Sequence, residues 1–69
     1  MNRTPVTSTS LKSVGYKDGI LEIEFIRKNT LYEFYDVPES TYKELLAAKS
    51  KGAFHNQRIK DIFESKKLR

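Results

Sequence analysis

The spacing of apolar and polar residues changes near the middle of the chain. In LEIEF, Leu21, Ile23 and Phe25 alternate with two glutamates, and this period of two is typical of a strand with one buried face. The flanking segments LKSVGY and LYEFYDV contain valine and tyrosine, which favour strands. After Pro38 apolar residues recur every three or four positions, as along one face of a helix. The pattern therefore predicts strands first and helices second.

Two short polar segments separate the three predicted strands. Asp18-Gly19 is typical of a two-residue hairpin turn, because glycine adopts the positive φ that such a turn requires. Lys28-Asn29 is the candidate for the second turn. Strands joined by such short turns run antiparallel. We therefore expect a three-stranded antiparallel meander.

The second turn also sets the register of the last two strands. With a turn of two residues, Phe25 lies opposite Tyr32, and Ile23 lies opposite Phe34. A slip by one residue would place rings beside glutamates, so burial rejects it. The predicted core face of the sheet comprises Val14, Tyr16, Leu21, Ile23, Phe25, Tyr32 and Phe34. Tyr32 and Phe34 are thus expected in the core rather than as exposed rings on which bases stack, while Tyr35 points outwards.

Two helical segments follow the meander. Asp36 and Pro38 stand where a helix N-cap and first turn are expected, and Gly52 would end or redirect this first helix. The second pattern lies in FHNQRIKDIFESK, with Ser50 or Asn56 as its cap. Each helix has one apolar face that needs to be buried. The expected fold is α+β, with a three-stranded antiparallel β-meander followed by two short helices packed on one face.

A chain of 69 residues is long enough for one domain only. We expect a flexible N-terminus at residues 1–7, a single domain at residues 8–64 and a basic C-terminal tail at residues 65–69. No segment approaches the roughly 18 consecutive apolar residues of a membrane helix, and the first residues lack the apolar region of a signal peptide. The chain contains no cysteine, which excludes disulfides and thiolate metal sites. A soluble cytoplasmic protein without membrane contact is expected.

Candidate catalytic groups are sparse. His55 is the single histidine, and Asp61 would lie on a different face of a shared helix, so no triad is indicated. Glu22, Glu24 and Glu33 are expected on an open sheet face, unlike the cleft in which paired carboxylates act as acid and base. The sequence has no phosphate-binding glycine loop and no calcium-loop spacing. It therefore predicts no enzyme activity, no metal site and no cofactor.

Basic residues are concentrated in the last third of the chain. Residues 49–69 contain seven Lys or Arg against two acidic residues, whereas residues 1–48 contain six against seven. Such asymmetry favours a polyanionic partner, although a solvated helix face has the same composition. Lys and Arg contact phosphates, and a glycine allows close approach of the backbone. The candidates for binding RNA are Lys49, Lys51, Gly52, Asn56, Arg58 and Lys60.

A protein partner is the alternative hypothesis. The predicted register places four apolar or aromatic residues on the outer face of the sheet. Together they would form a small apolar patch of the kind that marks interaction surfaces. These residues are Leu11, Ile26, Leu31 and Tyr35. In this hypothesis the chain is an interaction module, present as a monomer or a weak homodimer.

Several motifs, taken together and in this order, resemble the KTSC domain family. They are Tyr32-Glu33-Phe34, Val37-Pro38, Ser50-Lys51-Gly52, and Phe54 followed by Asn56 and Ile59. The resemblance covers the chain from about Ser8 to Phe63. Members of this family occur as small bacterial and phage proteins and at the C-terminus of some lysyl-tRNA synthetases. The resemblance implies a small binding domain for which RNA is an expected ligand. Phe34 departs from the family's Y-x-Y pattern by lacking the second hydroxyl.

Overall fold

The computed structural model describes residues 2–69 as one antiparallel sheet and two helices. The strands are β1 (Thr4–Pro5), β2 (Leu11–Lys17), β3 (Ile20–Phe25), β4 (Leu31–Phe34) and β5 (Ser65–Lys67), and they follow this order across the sheet. Helices α1 (Glu39–Ala47) and α2 (Lys51–Arg58) lie between β4 and β5 in the chain. The predicted α+β class is confirmed, but the sheet has five strands instead of three. Neither helix within residues 2–69 is long and apolar enough to cross a membrane.

The core lies between the inner face of the sheet and the helices. Its buried members are Leu11, Val14, Leu21, Ile23, Phe34, Val37, Leu45 and Ile59. Tyr16, Phe25 and Tyr32 pack against this core but are only partly buried. Tyr16 is fixed there because its hydroxyl donates a hydrogen bond of 2.6 Å to the Val37 carbonyl. All seven predicted inner-face residues therefore face the core, although three of the four aromatic residues lie at its margin.

Both ends of the chain add a strand to the predicted meander. β1 pairs antiparallel with β2, and β5 pairs antiparallel with β4. β1 lies within the predicted flexible N-terminus at residues 1–7, of which Met1 lies outside the described residues, and β5 lies within the predicted basic C-terminal tail at residues 65–69. Both segments are polar and carry no alternating apolar signal. They are held at the sheet edges by backbone hydrogen bonds, which do not depend on the side chains and therefore cannot be recognised from composition.

A β-bulge at Lys12 places Leu11 on the inner face of the sheet. The Asp18-Gly19 turn is confirmed, with φ of +52° and +83°, and an uninterrupted register from it would pair Lys12 with Phe25. Instead Leu11 pairs with Phe25, because the bulge inserts one residue into β2. A shift of one residue moves a side chain to the opposite face. Leu11 is fully buried, so its predicted position on the outer face is wrong.

The loop between β3 and β4 is longer than the predicted two-residue turn. Arg27–Asn29 forms a 3-10 turn, and the Phe25 backbone N–H donates a hydrogen bond of 2.8 Å to the Thr30 carbonyl. Phe34 consequently pairs with Leu21, two residues away from its predicted partner. A shift of two residues keeps every side chain on its face. The predicted pairs are therefore wrong, while the predicted faces of β3 and β4 are confirmed.

The helices differ from prediction at their ends. Asp36 does not cap α1, because it has a φ of +56° and Pro38 occupies the N-cap position. α2 ends at Arg58, earlier than the helical pattern predicts. Ile62 therefore lies in the following turn and is 59% exposed, whereas Ile59 is fully buried. Ile59 and Ile62 therefore do not share one buried helix face, although the apolar spacing in FHNQRIKDIFESK predicts that they do.

Gly52 lies inside α2 and brings that helix close to the chain that precedes β2. The Ser50 hydroxyl caps α2 by accepting a hydrogen bond of 3.3 Å from the Ala53 N–H, which confirms one of the two predicted caps. A Cβ atom at position 52 would lie 2.7 Å from Ser10 Oγ. This close approach, and not the end of α1, accounts for the glycine.

Candidate nucleic-acid interface

The basic residues among the predicted RNA-binding set lie around α2 but are not equally available. Lys49 and Lys60 flank the helix and are exposed. Lys51 Nζ donates a hydrogen bond of 3.1 Å to a backbone carbonyl just before the helix. The Arg58 guanidinium lies 3.9 Å from a Glu44 carboxylate oxygen and also covers an aromatic ring of its own helix. Two of the four cations therefore already have partners within the protein.

Further basic residues of the C-terminal third face carboxylates of the sheet. Arg69 Nη2 lies 2.5 Å from Glu24 Oε2. Lys66 stands opposite Glu33 in the pairing of β4 with β5. The charge excess of residues 49–69 is therefore not one continuous basic surface, because part of it is used at the outer face of the sheet.

The outer face of the sheet is a network of carboxylates with internal partners. Ser13 Oγ donates a hydrogen bond of 2.8 Å to Glu24, and Arg3 Nε lies 4.0 Å from the same carboxylate. The Ser13 hydrogen bond, followed by that from Arg69, holds the pKa of Glu24 below its usual range. Arg3 also forms an ion pair with Glu22. This face thus combines acidic side chains with cations that the chain supplies itself.

The four residues predicted as an alternative partner surface do not form one exposed patch. Leu11 is in the core, and Leu31 is 9% exposed. Tyr35 is half-buried, and its hydroxyl donates a hydrogen bond of 3.0 Å to Glu33, which raises the Tyr35 pKa. Ile26 is the only one of the four that is strongly exposed, at 50%. The predicted apolar patch is therefore reduced to a single side chain.

An open cavity of about 550 Å³ lies at the margin of the core, and we call it the aromatic groove. Its rings come from β3 (Phe25), β4 (Tyr32 and Phe34) and α2 (His55). Phe34 is only 3% exposed, whereas the other three rings are half-buried. The groove lies where His55 of α2 packs against Phe25 and Phe34 and leaves Phe25 and Tyr32 only partly buried.

The four rings of the groove form a closed circuit of contacts. Phe25 meets Tyr32 edge-on, with centroids 5.9 Å apart and planes at 86°, and it meets His55 at 4.9 Å and 66°. Phe34 lies 5.6 Å from His55 and 6.1 Å from Tyr32 in a stacked arrangement. Edge-to-face and offset contacts of this kind stabilise aromatic clusters. The circuit fixes the direction in which each ring faces the groove.

The rim of the aromatic groove is basic. Arg27 and Lys28 come from the β3–β4 loop, Lys60 follows α2, and Asp61 is the only acidic residue that lines the groove. Among residues 2–69, these three cations form no ion pair within 4.0 Å, in contrast to Arg3 and Arg69 on the outer face. Their charges are therefore available to a ligand.

His55 contributes a neutral ring to this site. Burial lowers the pKa of His55, and the positive charge of Lys60 acts in the same direction. The Asn56 side chain and Asp61 oppose the shift but are weaker causes than burial. A neutral imidazole has one hydrogen-bond donor and one acceptor, so His55 presents both an aromatic face and polar edges to the groove.

A second cavity of about 370 Å³ adjoins the aromatic groove. Both cavities share Phe25, Arg27 and His55, and the second also includes Gly52 and Asn56. Three of the six predicted RNA-binding residues therefore line one of the two cavities: Gly52, Asn56 and Lys60. Lys49, Lys51 and Arg58 line neither.

Sequence reasoning missed the groove residues that come from the sheet. Phe25 and Tyr32 were expected only as core residues, and Arg27 and Lys28 belong to residues 1–48, which contain six basic residues against seven acidic ones. The available signal was local: the basic pair Arg27-Lys28 lies two residues after the aromatic end of β3, and Tyr32 follows closely. Within residues 2–69, no three His, Asp or Glu side chains are grouped as a metal site would require.

A family model and a solved structure indicate the same family for this chain. A model of the KTSC domain matches residues 7–63. A protein from Tsukamurella paurometabola is 36% identical over 63 residues, covering 88% of this chain and 92% of its own. The crystal structure of a KTSC domain protein from Yersinia pestis superposes with a TM-score of 0.90 at 35% identity, covering 99% of this chain and 97% of that one.

Proposed function

The chain belongs to the KTSC domain family, and from this premise we propose that it is a small non-enzymatic module that binds RNA or another polyanion. The observation that carries the proposal is the aromatic groove with its basic rim. Lys and Arg side chains hold phosphates, and Arg27, Lys28 and Lys60 surround the groove. Aromatic rings beside basic side chains are the combination that proteins use for single-stranded nucleic acids.

The distribution of carboxylates indicates which face of the molecule holds the proposed interface. Glu22 and Glu24 on the outer face already engage Arg3 and Arg69, so these cations are less available to a phosphate backbone than those of the groove. The groove has a single acidic residue, Asp61, against three cations. The proposed interface is therefore the groove and the adjoining side of α2, which is narrower than the whole basic C-terminal third.

Binding is proposed in preference to catalysis because of the surroundings of His55. Its imidazole packs against Phe25 and Phe34. A catalytic histidine is instead positioned between a nucleophile and a carboxylate that orients the ring. The contacts of His55 suit an aromatic wall of a binding site.

The proposal is tested by changing charge at the rim and, separately, at remote positions. Binding of a labelled single-stranded RNA is measured by fluorescence anisotropy at several salt concentrations. Three phosphate contacts would give a log–log salt slope of about −2. The rim variant carries Arg27→Gln, Lys28→Gln and Lys60→Gln. The matched control carries Lys12→Gln, Lys17→Gln and Lys43→Gln, which are exposed and line neither cavity.

We expect the rim variant to lose most of its affinity and the control to keep most of it. Equal losses in both variants would mean that only net charge matters, and the proposed interface would be wrong. Absence of binding by the unmodified protein at low salt would overturn the proposed function itself.

A further inference from the structure

We propose that the aromatic groove accepts one unpaired base of a single-stranded RNA, which stacks on Tyr32 and meets Phe25 with its edge, with flanking phosphates on Arg27, Lys28 and Lys60. This inference rests on the proposed function and names the part of the RNA that the site recognises. Bulk polyanion binding requires only the cations, whereas this inference requires the rings as well.

The rings are arranged to receive a flat ligand. Tyr32 and Phe25 are half-buried, and their planes stand at 86° to one another, so one ring can stack on a base while the other contacts its edge. Phe34 behind them is 3% exposed and supports Tyr32. The cavity of about 550 Å³ is within the roughly 300–1,000 Å³ of small-ligand sites.

The positive charge of the rim narrows the classes of ligand that this aromatic site can bind. Clusters of aromatic rings also bind quaternary ammonium groups, but Arg27, Lys28 and Lys60 would repel a cation here. An acidic peptide segment would satisfy the cations but would leave the ring faces without a flat partner. A nucleotide has both a planar ring and a phosphate, so it matches both halves of the site.

Polar groups at the groove can contact the edge of a base. Thr30 and Ser65 contribute hydroxyl groups to the lining, and Asp61 contributes an acceptor. The neutral imidazole of His55 has both a donor and an acceptor. Proteins read unpaired RNA bases through stacking combined with hydrogen bonds to exposed base edges. The groove holds the groups for both kinds of contact.

The deciding experiment compares two probes that carry the same phosphates. One is a six-nucleotide oligoadenylate RNA, and the other is an abasic ribose-phosphate oligomer of the same length. Stacking of one base predicts that the unmodified protein binds the oligoadenylate about 5- to 100-fold more tightly at equal salt. Equal affinities for the two probes would overturn the inference and leave the proposed function standing. If neither probe binds, both are overturned.

Ring variants provide a second readout. Tyr32→Leu removes the ring at similar apolar volume and should abolish the preference for the base-containing probe, while Tyr32→Phe should retain it. Tyr35→Leu, on the outer face, is the matched control and should also retain it. A preference that survives Tyr32→Leu in a folded protein would contradict the stacking role. If Tyr32→Leu does not fold, the two probes on the unmodified protein still decide the question.

Discussion

The two faces of the sheet use charged residues in opposite ways. On the outer face, Glu22 and Glu24 are paired with Arg3 and Arg69, which come from the two ends of the chain. On the groove side, the cations of the rim surround neutral rings and form no ion pair among the described residues. Charge on the outer face is thus matched within the molecule, while the cations on the groove side have no ion-pair partner among the described residues.

This difference shows why counting charges by chain segment was insufficient. Arg69 belongs to the basic third but is committed to Glu24. Arg27 belongs to the acidic remainder but is free at the groove. The pairing in the fold, more than position in the chain, decides which cations remain available.

The largest expected effect is a difference in stability between variants of Phe34, which lies in the core, and of Tyr32, which lines the groove. Phe34→Ala removes a nearly buried side chain and should lower the free energy of unfolding by about 3–5 kcal/mol. Tyr32→Ala should cost clearly less, because that ring is already partly in contact with water. Urea denaturation of both variants measures the difference. Equal losses would show that Tyr32 is a core residue and that the groove is closed in solution.

The next effect tests the close packing that positions α2 beside the groove. Gly52→Ala adds a Cβ atom 2.7 Å from Ser10 Oγ and 3.0 Å from Ser10 Cβ. Overpacking costs about 1–3 kcal/mol in a core, and about 1 kcal/mol of this is offset because alanine favours a helix more than glycine does, so we expect a small net loss. Ser10→Gly removes both contacting atoms, so the double variant should recover the loss. Thermal unfolding of the single and double variants provides the test. A loss that Ser10→Gly fails to restore would rule out this contact as the cause.

The two sides should respond to acid in separate pH ranges. The pKa of His55 is lowered from 6.5 in the folded state, so the unfolded chain binds the proton more readily and stability falls as the pH drops below about 6.5. The pKa of Glu24 is lowered from 4.5, so its contribution is present above pH 4.5 and is lost at lower pH.

Urea denaturation across this range, with His55→Gln and Glu24→Gln as separate variants, assigns each loss to its residue. His55→Gln should remove the loss that begins below pH 6.5 and leave the loss below 4.5. If His55→Gln loses as much stability near pH 6 as the unmodified protein, the assignment of this loss to His55 is wrong.

The smallest effect concerns the ion pairs of the outer face. Arg69→Gln should lower stability slightly at low salt, and the difference from the unmodified protein should shrink at high salt, because salt screens partly exposed pairs. Lys67→Gln removes the same charge from β5 at a position opposite Tyr32 and should not show this salt dependence. Identical behaviour of the two variants would mean that Arg69 contributes only net charge.

Much of the fold follows from the pattern of the sequence, and the exceptions have identifiable causes. The alternation in β3 predicted its buried face correctly, because only one of the two alternating sets of side chains is apolar enough to be buried. The fully buried Leu11 was misplaced because a bulge depends on backbone geometry that Lys12 does not reveal. The terminal strands were missed because their pairing is made by backbone groups. Charge alone predicted Lys60 as a binding residue. The sheet side of the groove was not predicted, because aromatic residues that face a cavity and those that face a core show the same alternating sequence pattern.

If the chain binds RNA as proposed, contact is expected at the groove side and not at the outer face. The most direct test of this expectation is a chemical-shift map of the backbone amides and aromatic rings during titration with the six-nucleotide oligoadenylate. We expect chemical-shift changes at Phe25, Tyr32 and His55 and at the cations of the rim. The changes at Glu22 and Glu24, whose side chains lie on the outer face, should be small. Shifts confined to the outer face, or no shifts at low salt, would contradict this expectation.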